Sequence, residues 1–122
     1  MKKGDIGRLG ELETARYLRK HGYEVVSASF RSRYGEIDLI AHNGKYICFV
    51  EVKARSEGQL FRPADSVTAS KRSKIISTAN IYLSQNETKL QPRFDISEVF
   101  VSDSGQVIKI NYLENAYSSD GR

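Results

Sequence analysis

Apolar and polar residues alternate along this chain with two different periods, and the periods divide it into seven segments. Apolar residues spaced three and four apart predict helices over 5–21 and 68–85. Alternating or continuous apolar runs predict strands over 23–31, 35–41, 46–53, 93–101 and 106–113. Because the strand–helix–strand unit over 46–101 favours a right-handed crossover to a parallel neighbour, we expect an α/β fold of order α-β-β-β-α-β-β. Its helices would flank one mixed sheet of about five strands.

The pair Asn43-Gly44 separates the second and third predicted strands. Both residues tolerate the positive φ of a type I′ turn, so the pair predicts a hairpin with a tight two-residue turn. Counting outward from that turn places Asp38 opposite Phe49. Asp38 is then a diagonal neighbour of Glu51, with the two Cα atoms roughly 7–8 Å apart.

One face of this hairpin carries many charges for so apolar a segment. Because side chains alternate along a strand, four charged side chains point to one side: Glu36, Asp38, Glu51 and Lys53. Carboxylate oxygens suit Mg²⁺ or Mn²⁺, so the two nearest acids could hold one divalent cation. Lys53 would then position or deprotonate an attacking water, or stabilise charge developing on a phosphate. The alternative is a structural salt-bridge cluster, in which Lys53 pairs with one acid and the others reach solvent.

The first predicted helix carries an acid on its apolar stripe. Glu11 lies at helical spacing from Ala15 and Leu18, on the stripe that should face the core. Such a carboxylate either reaches water at the rim of the stripe, for example beside Arg8, or turns toward a polar site.

The net charge of +4 is concentrated in one part of the sequence, because residues 53–74 alone carry a basic surplus of that size. The basic residues there are Lys53, Arg55, Arg62, Lys71, Arg72 and Lys74. The last three stand near the N-terminus of the second helix, where each cation opposes the macrodipole by about 0.3–1 kcal/mol unless phosphates bind there. A basic segment beside an acidic cluster indicates a nucleic-acid partner. Arg31 and Arg33 would either contact phosphates or lie on plain surface.

Length and composition indicate one domain over 1–117, followed by a tail over 118–122 that we expect to be disordered. No apolar run approaches the ~20 residues of a membrane span, and no signal peptide is expected. The single cysteine, Cys48, excludes an internal disulfide and fits a cytoplasmic protein; it falls on the hairpin face opposite the acids and is expected in the core. With only two histidines a structural zinc site is not expected, and the absence of a glycine-rich phosphate loop predicts no small-molecule cofactor.

An acid, a spacer and Glu-x-Lys on the next strand resemble the PD-(D/E)XK nuclease superfamily, with Asp38, Glu51 and Lys53 at the matching positions. A longer series is similar to the YraN family of small bacterial proteins predicted to be endonucleases, which resemble archaeal Holliday-junction resolvases. The series comprises Gly7-Arg8-Leu9-Gly10-Glu11, Tyr17-Leu18, Gly22-Tyr23, Arg31, 35–41, 49–53, Arg55, Val67, Lys71, Tyr82-Leu83, Arg93-Phe94-Asp95 and Asn115-Ala116-Tyr117. Ser29 and Tyr117 depart from it, since the family usually has Asn and Phe there.

The resemblance implies a restriction-endonuclease-like fold and metal-dependent hydrolysis of phosphodiester bonds in DNA, with branched or flapped DNA as the expected substrate. It also implies that Glu11 joins Asp38 and Glu51 at the metal and that Lys53 is catalytic, while Glu36 is near enough to be an accessory acid. Two alternatives stay open: a non-catalytic DNA-binding module of the same fold, and a nuclease acting on RNA. A monomer and a homodimer are both compatible with the sequence.

Overall fold

The computed structural model describes residues 3–56 and 68–120. Within them lie two helices and five strands in the predicted order, which confirms the expected α/β fold. Helix α1 spans Lys3–Lys20 and helix α2 spans Ala69–Gln85. The strands are β1 (Glu24–Ser32), β2 (Gly35–His42), β3 (Tyr46–Ser56), β4 (Gln91–Val101) and β5 (Val107–Tyr117).

The strands of the described chain form a single mixed sheet in the order β1-β2-β3-β4-β5. β3 and β4 are parallel, as the predicted crossover through α2 requires, and the other three neighbouring pairs are antiparallel. β5 runs past its predicted end at Leu113, because Tyr117 still pairs with Phe94 of β4. Between Leu113 and Tyr117, the backbone N–H of Asn115 donates to the buried carboxylate of Asp95 at 2.9 Å.

Two apolar clusters cover the two faces of the sheet, one beneath each helix. The α1-side cluster consists of Ala15, Leu18, Leu39, Ala41, Cys48 and Val50. The α2-side cluster consists of Ile37, Ile40, Ile47, Phe49, Ile75, Ala79, Phe94, Ile96 and Tyr117. Cys48 is fully buried, so its predicted place in the core is confirmed.

The hairpin between β2 and β3 has a different register from the predicted one. His42 pairs with Ile47 and Leu39 with Val50, so the predicted pairing of Asp38 with Phe49 was wrong by two residues. The physical reason lies in Asn43, whose side-chain Oδ1 accepts hydrogen bonds from the backbone N–H groups of two following residues and stabilises a longer loop. Because side chains alternate with a period of two, a shift of two residues leaves the predicted faces of β3 unchanged.

The start of α2 and the end of α1 coincide with local signals in the sequence. Thr68 is the N-cap of α2, and its side chain accepts from the backbone N–H of Lys71 at 3.2 Å. Gly22, with φ of 87°, follows α1, and the N–H of Tyr23 returns to the carbonyl of Leu18 at 2.9 Å. These two ends fix where α1 and α2 meet the sheet.

Several sequence predictions concern residues outside the described ranges. Most of the predicted functional loop over 54–67 lies there, including Arg62, as do the last two residues of the predicted tail. The single-domain boundary and the disordered tail therefore stay predictions. Neither described helix is both long and apolar enough to span a membrane.

Candidate functional site

The β2–β3 ladder ends at the pair Leu39–Val50, although both strands continue beyond it. Continuing the register by one residue brings Asp38 opposite Glu51. Instead of a further backbone pair, the N–H of Val52 donates to Asp38 Oδ2 at 2.7 Å. A carboxylate thus occupies the point where the two strands separate. We call this point, with Asp38, Glu51, Lys53 and Lys71 around it, the fork site.

An irregularity in β1 and β2 directs Asp38 into the fork. Ile37 and Ile40 both belong to the α2-side cluster, whereas Leu39 belongs to the α1-side cluster, so strict alternation is broken around Asp38. The facing residue on β1 is Ser29, which has a left-handed φ of 55°. Strand irregularities of this kind re-aim side chains near functional sites.

The surroundings of Asp38 disfavour its ionised form. Burial raises the pKa of Asp38 to about 7, and the negative charge of Glu51 contributes in the same direction. The hydrogen bond from Val52 lowers the pKa but does not offset burial. The site therefore stabilises the ionised form of Asp38 poorly unless a cation comes near.

Two lysines converge on the buried carboxylate of Glu51, which is 6% exposed. Lys71 Nζ lies 2.5 Å from Glu51 Oε1, and Lys53 Nζ lies 3.4 Å from the same oxygen. The ion pair of Lys53 with one acid is also what the salt-bridge alternative predicted. Lys71 was expected only as a DNA-binding residue. Lys71 lies in the first turn of α2, and its side chain reaches from that helix to the carboxylate of Glu51 on β3.

The lysines affect each other as well as Glu51. Burial lowers the pKa of Lys53, and the neighbouring Lys71 lowers it further, against the attraction of Glu51. The surroundings of Lys53 thus combine burial and a second ammonium group with the opposing charge of Glu51. Burial also opposes the charge of Lys71, but its hydrogen bonds to Glu51 and Lys53, together with the charges of Glu51 and Asp38, outweigh burial and raise the pKa of Lys71.

Glu11 approaches the fork site from the α1 side. A Cβ built on Gly10 would lie 2.9 Å from the Cβ of Ala54, so α1 packs with its backbone close to β3. Burial raises the pKa of Glu11, and the charges of Glu36 and Glu51 raise it further, while Arg8 lowers it. Among residues 3–56 and 68–120, however, no three acidic, His or Cys side chains are grouped closely enough to hold a metal. In this arrangement Glu11 contributes its charge to the site and is not placed as a ligand.

The donor set of the fork site nevertheless fits a hard divalent cation. Mg²⁺ commonly takes one or two carboxylates and completes its shell with waters and substrate phosphates. Asp38 and Glu51 supply that number of carboxylates, and a cation would oppose both the burial and the neighbouring negative charge that raise the pKa of Asp38. Glu36 stands apart, because it pairs with Arg31 at 3.3 Å at the edge of the site.

The predicted nucleic-acid-binding residues are spread more widely than the acids. Arg31 is engaged by Glu36, and Arg33 donates to the hydroxyl of Tyr34 at 2.7 Å. Arg55 donates to a backbone carbonyl, and Arg72 lies over the ring of Tyr117, with 5.3 Å to its centroid.

Lys74 is better placed to meet a phosphate. It lines an open pocket at the N-terminus of α2, beside the fork site. The pocket is formed by Gly35, Glu36, Thr68, Ser70, Lys71, Lys74 and Ile75. Hydroxyl, ammonium and helix N-terminal groups there are of the kinds that bind phosphate oxygens.

The Arg93-Phe94-Asp95 segment is part of the resemblance but lies away from the acids. Asp95 is fully buried, and its carboxylate accepts a bidentate pair from Arg93 and a bond of 2.7 Å from the hydroxyl of Tyr112. Arg93 in turn donates to the hydroxyl of Tyr23 at 2.7 Å. This satisfied network joins the start of β1 to β4 and β5, so its role is structural.

A model of the uncharacterised protein family UPF0102 matches residues 10–99, which include every residue of the fork site. The chain is 39% identical over 117 residues to UPF0102 protein TTE1452 of Caldanaerobacter subterraneus subsp. tengcongensis, covering 94% of this chain and 96% of that protein. It is 42% identical over 115 residues to a UPF0102 protein of Clostridium kluyveri, covering 93% of each. A UPF0102 protein of Dictyoglomus turgidum is 36% identical over 118 residues, covering 96% of this chain and 100% of that protein.

Proposed function

This chain belongs to the uncharacterised protein family UPF0102, as the YraN resemblance implied, and we propose that it is a metal-dependent endonuclease hydrolysing phosphodiester bonds in DNA. One observation carries the proposal. A carboxylate with a raised pKa and a buried carboxylate meet where two strands separate, with two lysine ammonium groups beside them. Titratable groups with shifted pKa values in a partly buried site are typical of functional sites, and carboxylates beside ammonium groups suit metal-assisted reaction of a phosphate.

Asp38 and Glu51 would hold Mg²⁺ or Mn²⁺, and the charge of Glu11 would add to the attraction. When bound, the cation would neutralise phosphate charge and favour ionisation of water. Asp38 is oriented for this role by the N–H of Val52, and Glu51 by the long β3–β4 ladder.

Lys53 would act on the attacking water or on the phosphate. Its side chain is 16% exposed, so its ammonium works where water screens charges weakly. The lowered pKa of Lys53 makes exchange of a proton with water easier than at an ordinary lysine. Lys71 and Lys74, at the start of α2, would hold the DNA backbone next to the acids, and recognition of backbone shape would take precedence over base sequence.

A non-catalytic DNA-binding module is the second candidate, and one observation favours it. Glu51 is already neutralised by Lys53 and Lys71, so the described site has a self-contained ion cluster. In such a protein the acids would stabilise the fold and the lysines would bind DNA without cleavage.

The deciding experiment measures cleavage of linear, nicked, flapped, single-stranded and four-way-junction DNA, with matched RNA, in Mg²⁺ and then in Mn²⁺. We expect metal-dependent cleavage of DNA that falls at least about 100-fold in Asp38→Asn and Glu51→Gln, the scale on which a preorganised electrostatic group acts. Glu24→Gln, which removes an exposed acid paired with His42 at the hairpin-loop end of the sheet, should cut at close to the parent rate. Binding without cleavage on every substrate would instead support the non-catalytic module.

A further inference from the structure

Glu98 on β4 is a buried acid, and one of its two carboxylate oxygens makes no hydrogen bond. Its residue is 1% exposed, and its Oε1 accepts from the side chain of Asn111 at 2.8 Å. Its Oε2 has no hydrogen-bond partner among the described residues. An unpartnered carboxylate oxygen in a protein interior is costly, so its presence needs a reason.

The sheet places Glu98 directly beside Lys53. In the parallel β3–β4 register Lys53 is aligned with Glu98, and Glu51 is aligned with Ile96. Aligned residues on neighbouring strands share a face. Since Phe49 and Ile96 both belong to the α2-side cluster, Lys53 and Glu98 project to that same side.

The contact of Lys53 with Glu51 should weaken once Glu51 holds a cation. Both ammonium groups now contact the same oxygen of Glu51, and a divalent cation on that carboxylate would repel them. The Lys71 side chain is 41% exposed and can turn to solvent or to a phosphate. The Lys53 side chain is only 16% exposed, so it needs an acceptor inside the protein.

We propose that Glu98 is a positioning residue that receives the Lys53 ammonium when a divalent cation binds at Asp38 and Glu51. The Oε2 of Glu98 is the acceptor, and Asn111 holds the carboxylate in place through Oε1. Lys53 thereby stays in the fork site as an ordered donor. This inference rests on the metal of the proposed function, but it concerns a hydrogen bond that can be measured without cleavage.

A double-mutant cycle on Mg²⁺ affinity tests the inference. Calorimetry would give the dissociation constant for the parent, Glu98→Gln, Lys53→Met and the double variant. Glu98→Gln should weaken Mg²⁺ binding about tenfold when Lys53 is present, because Lys53 then loses its acceptor, and less than about threefold in Lys53→Met. Glu36→Gln is the matched control, since it removes a nearby acid not aligned with Lys53 and should act equally in both backgrounds.

Each other outcome has a distinct meaning. If Glu98→Gln weakens Mg²⁺ binding equally in both backgrounds, Glu98 acts through its charge or as a ligand, and the inference is overturned. No effect in either background overturns it as well. If the parent protein binds neither Mg²⁺ nor Mn²⁺, both the inference and the proposed metal-dependent function are contradicted. The two preceding outcomes contradict only the inference.

A second measurement needs no substitution at the buried position. Nuclear magnetic resonance can detect coupling across a hydrogen bond between a lysine Nζ and a glutamate Cδ. Lys53 should couple to Glu51 in the metal-free protein and to Glu98 after Mg²⁺ is added. Coupling that stays with Glu51 in saturating Mg²⁺ would refute the inference even if Glu98→Gln does not fold.

Discussion

Asp38 should make the stability of the metal-free protein depend on pH. Its pKa is about 7 in the folded protein, against an ordinary value of 3.8. Between these values the folded state binds the proton more strongly than the unfolded state, so stability falls as pH rises through this window. The full effect is on the order of 2–4 kcal/mol. Denaturant unfolding at pH 4.5 and pH 7.5 should show this loss in the parent protein and a clearly smaller one in Asp38→Asn; equal losses would contradict it.

The left-handed backbone of Ser29, which faces Asp38 from β1, can be tested by its effect on stability. A left-handed φ costs an ordinary residue roughly 1–2 kcal/mol, whereas asparagine tolerates it well. Ser29→Asn should therefore raise the free energy of unfolding by about 0.5–1 kcal/mol. Ser27→Asn, in the same strand but without a positive φ, is the control and should give no gain, because asparagine is disfavoured in strands. Urea unfolding of the three proteins measures the difference.

At the residue scale, the sequence predicted positions along a strand better than it predicted neighbours in space. Glu51 and Lys53 share a face because of a period that can be counted directly. The contact of Lys71 with Glu51 could not be predicted by counting along the sequence, since it depends on where α2 lies on the sheet.

At the scale of elements, the boundaries of helices were predictable from caps, but the hairpin register was not. Thr68 and Gly22 have local preferences that do not depend on the rest of the fold. Asn43 has two competing preferences, a left-handed backbone and side-chain bonds to the following N–H groups. The structure adopts the second, and the sequence contains no signal that ranks them.

The packing of α1 on β3 can be tested at two glycines of one helix. A Cβ on Gly7 would meet nothing within 4 Å, whereas a Cβ on Gly10 would press on Ala54. Gly7→Ala should therefore stabilise the protein by about 0.5–1 kcal/mol through helix propensity. Gly10→Ala should lose that gain and lower stability by roughly 1–3 kcal/mol, since neither backbone can yield easily. Equal stabilisation by both substitutions in thermal unfolding would show that α1 does not pack this closely.

At the scale of the whole molecule, the fold order and the parallel crossover could be predicted because each rests on segment type and chain order alone. The fork could not, because nothing in residues 35–53 marks where a ladder between two apolar strands will stop. Charge was predictable as a surplus in one segment, but only the structure separates lysines at the fork site from arginines engaged elsewhere.

DNA affinity should depend more on a positive charge beside the fork site than on one at the opposite end of β3. Lys74 lies beside the fork site, whereas Lys45 is exposed in the hairpin loop at the opposite end of β3. Lys74→Gln should reduce the slope of log affinity against log salt by roughly 0.9, the value for one phosphate contact on duplex DNA. Lys45→Gln removes the same charge and should leave the slope unchanged. Equal slopes for both variants, measured by fluorescence anisotropy, would exclude a phosphate contact at Lys74.

The hydrogen bond from the Val52 backbone to Asp38 provides a spectroscopic signal for the protonation and metal-binding state of that carboxylate. Among the described residues beside the fork, Val52 is the one whose backbone N–H donates to a side-chain carboxylate. The resonance of an amide proton moves when its acceptor gains a proton or binds a cation. A single peak in a proton–nitrogen correlation spectrum of the isotope-labelled protein therefore follows the state of Asp38 during a pH or Mg²⁺ titration, without any dye or substrate.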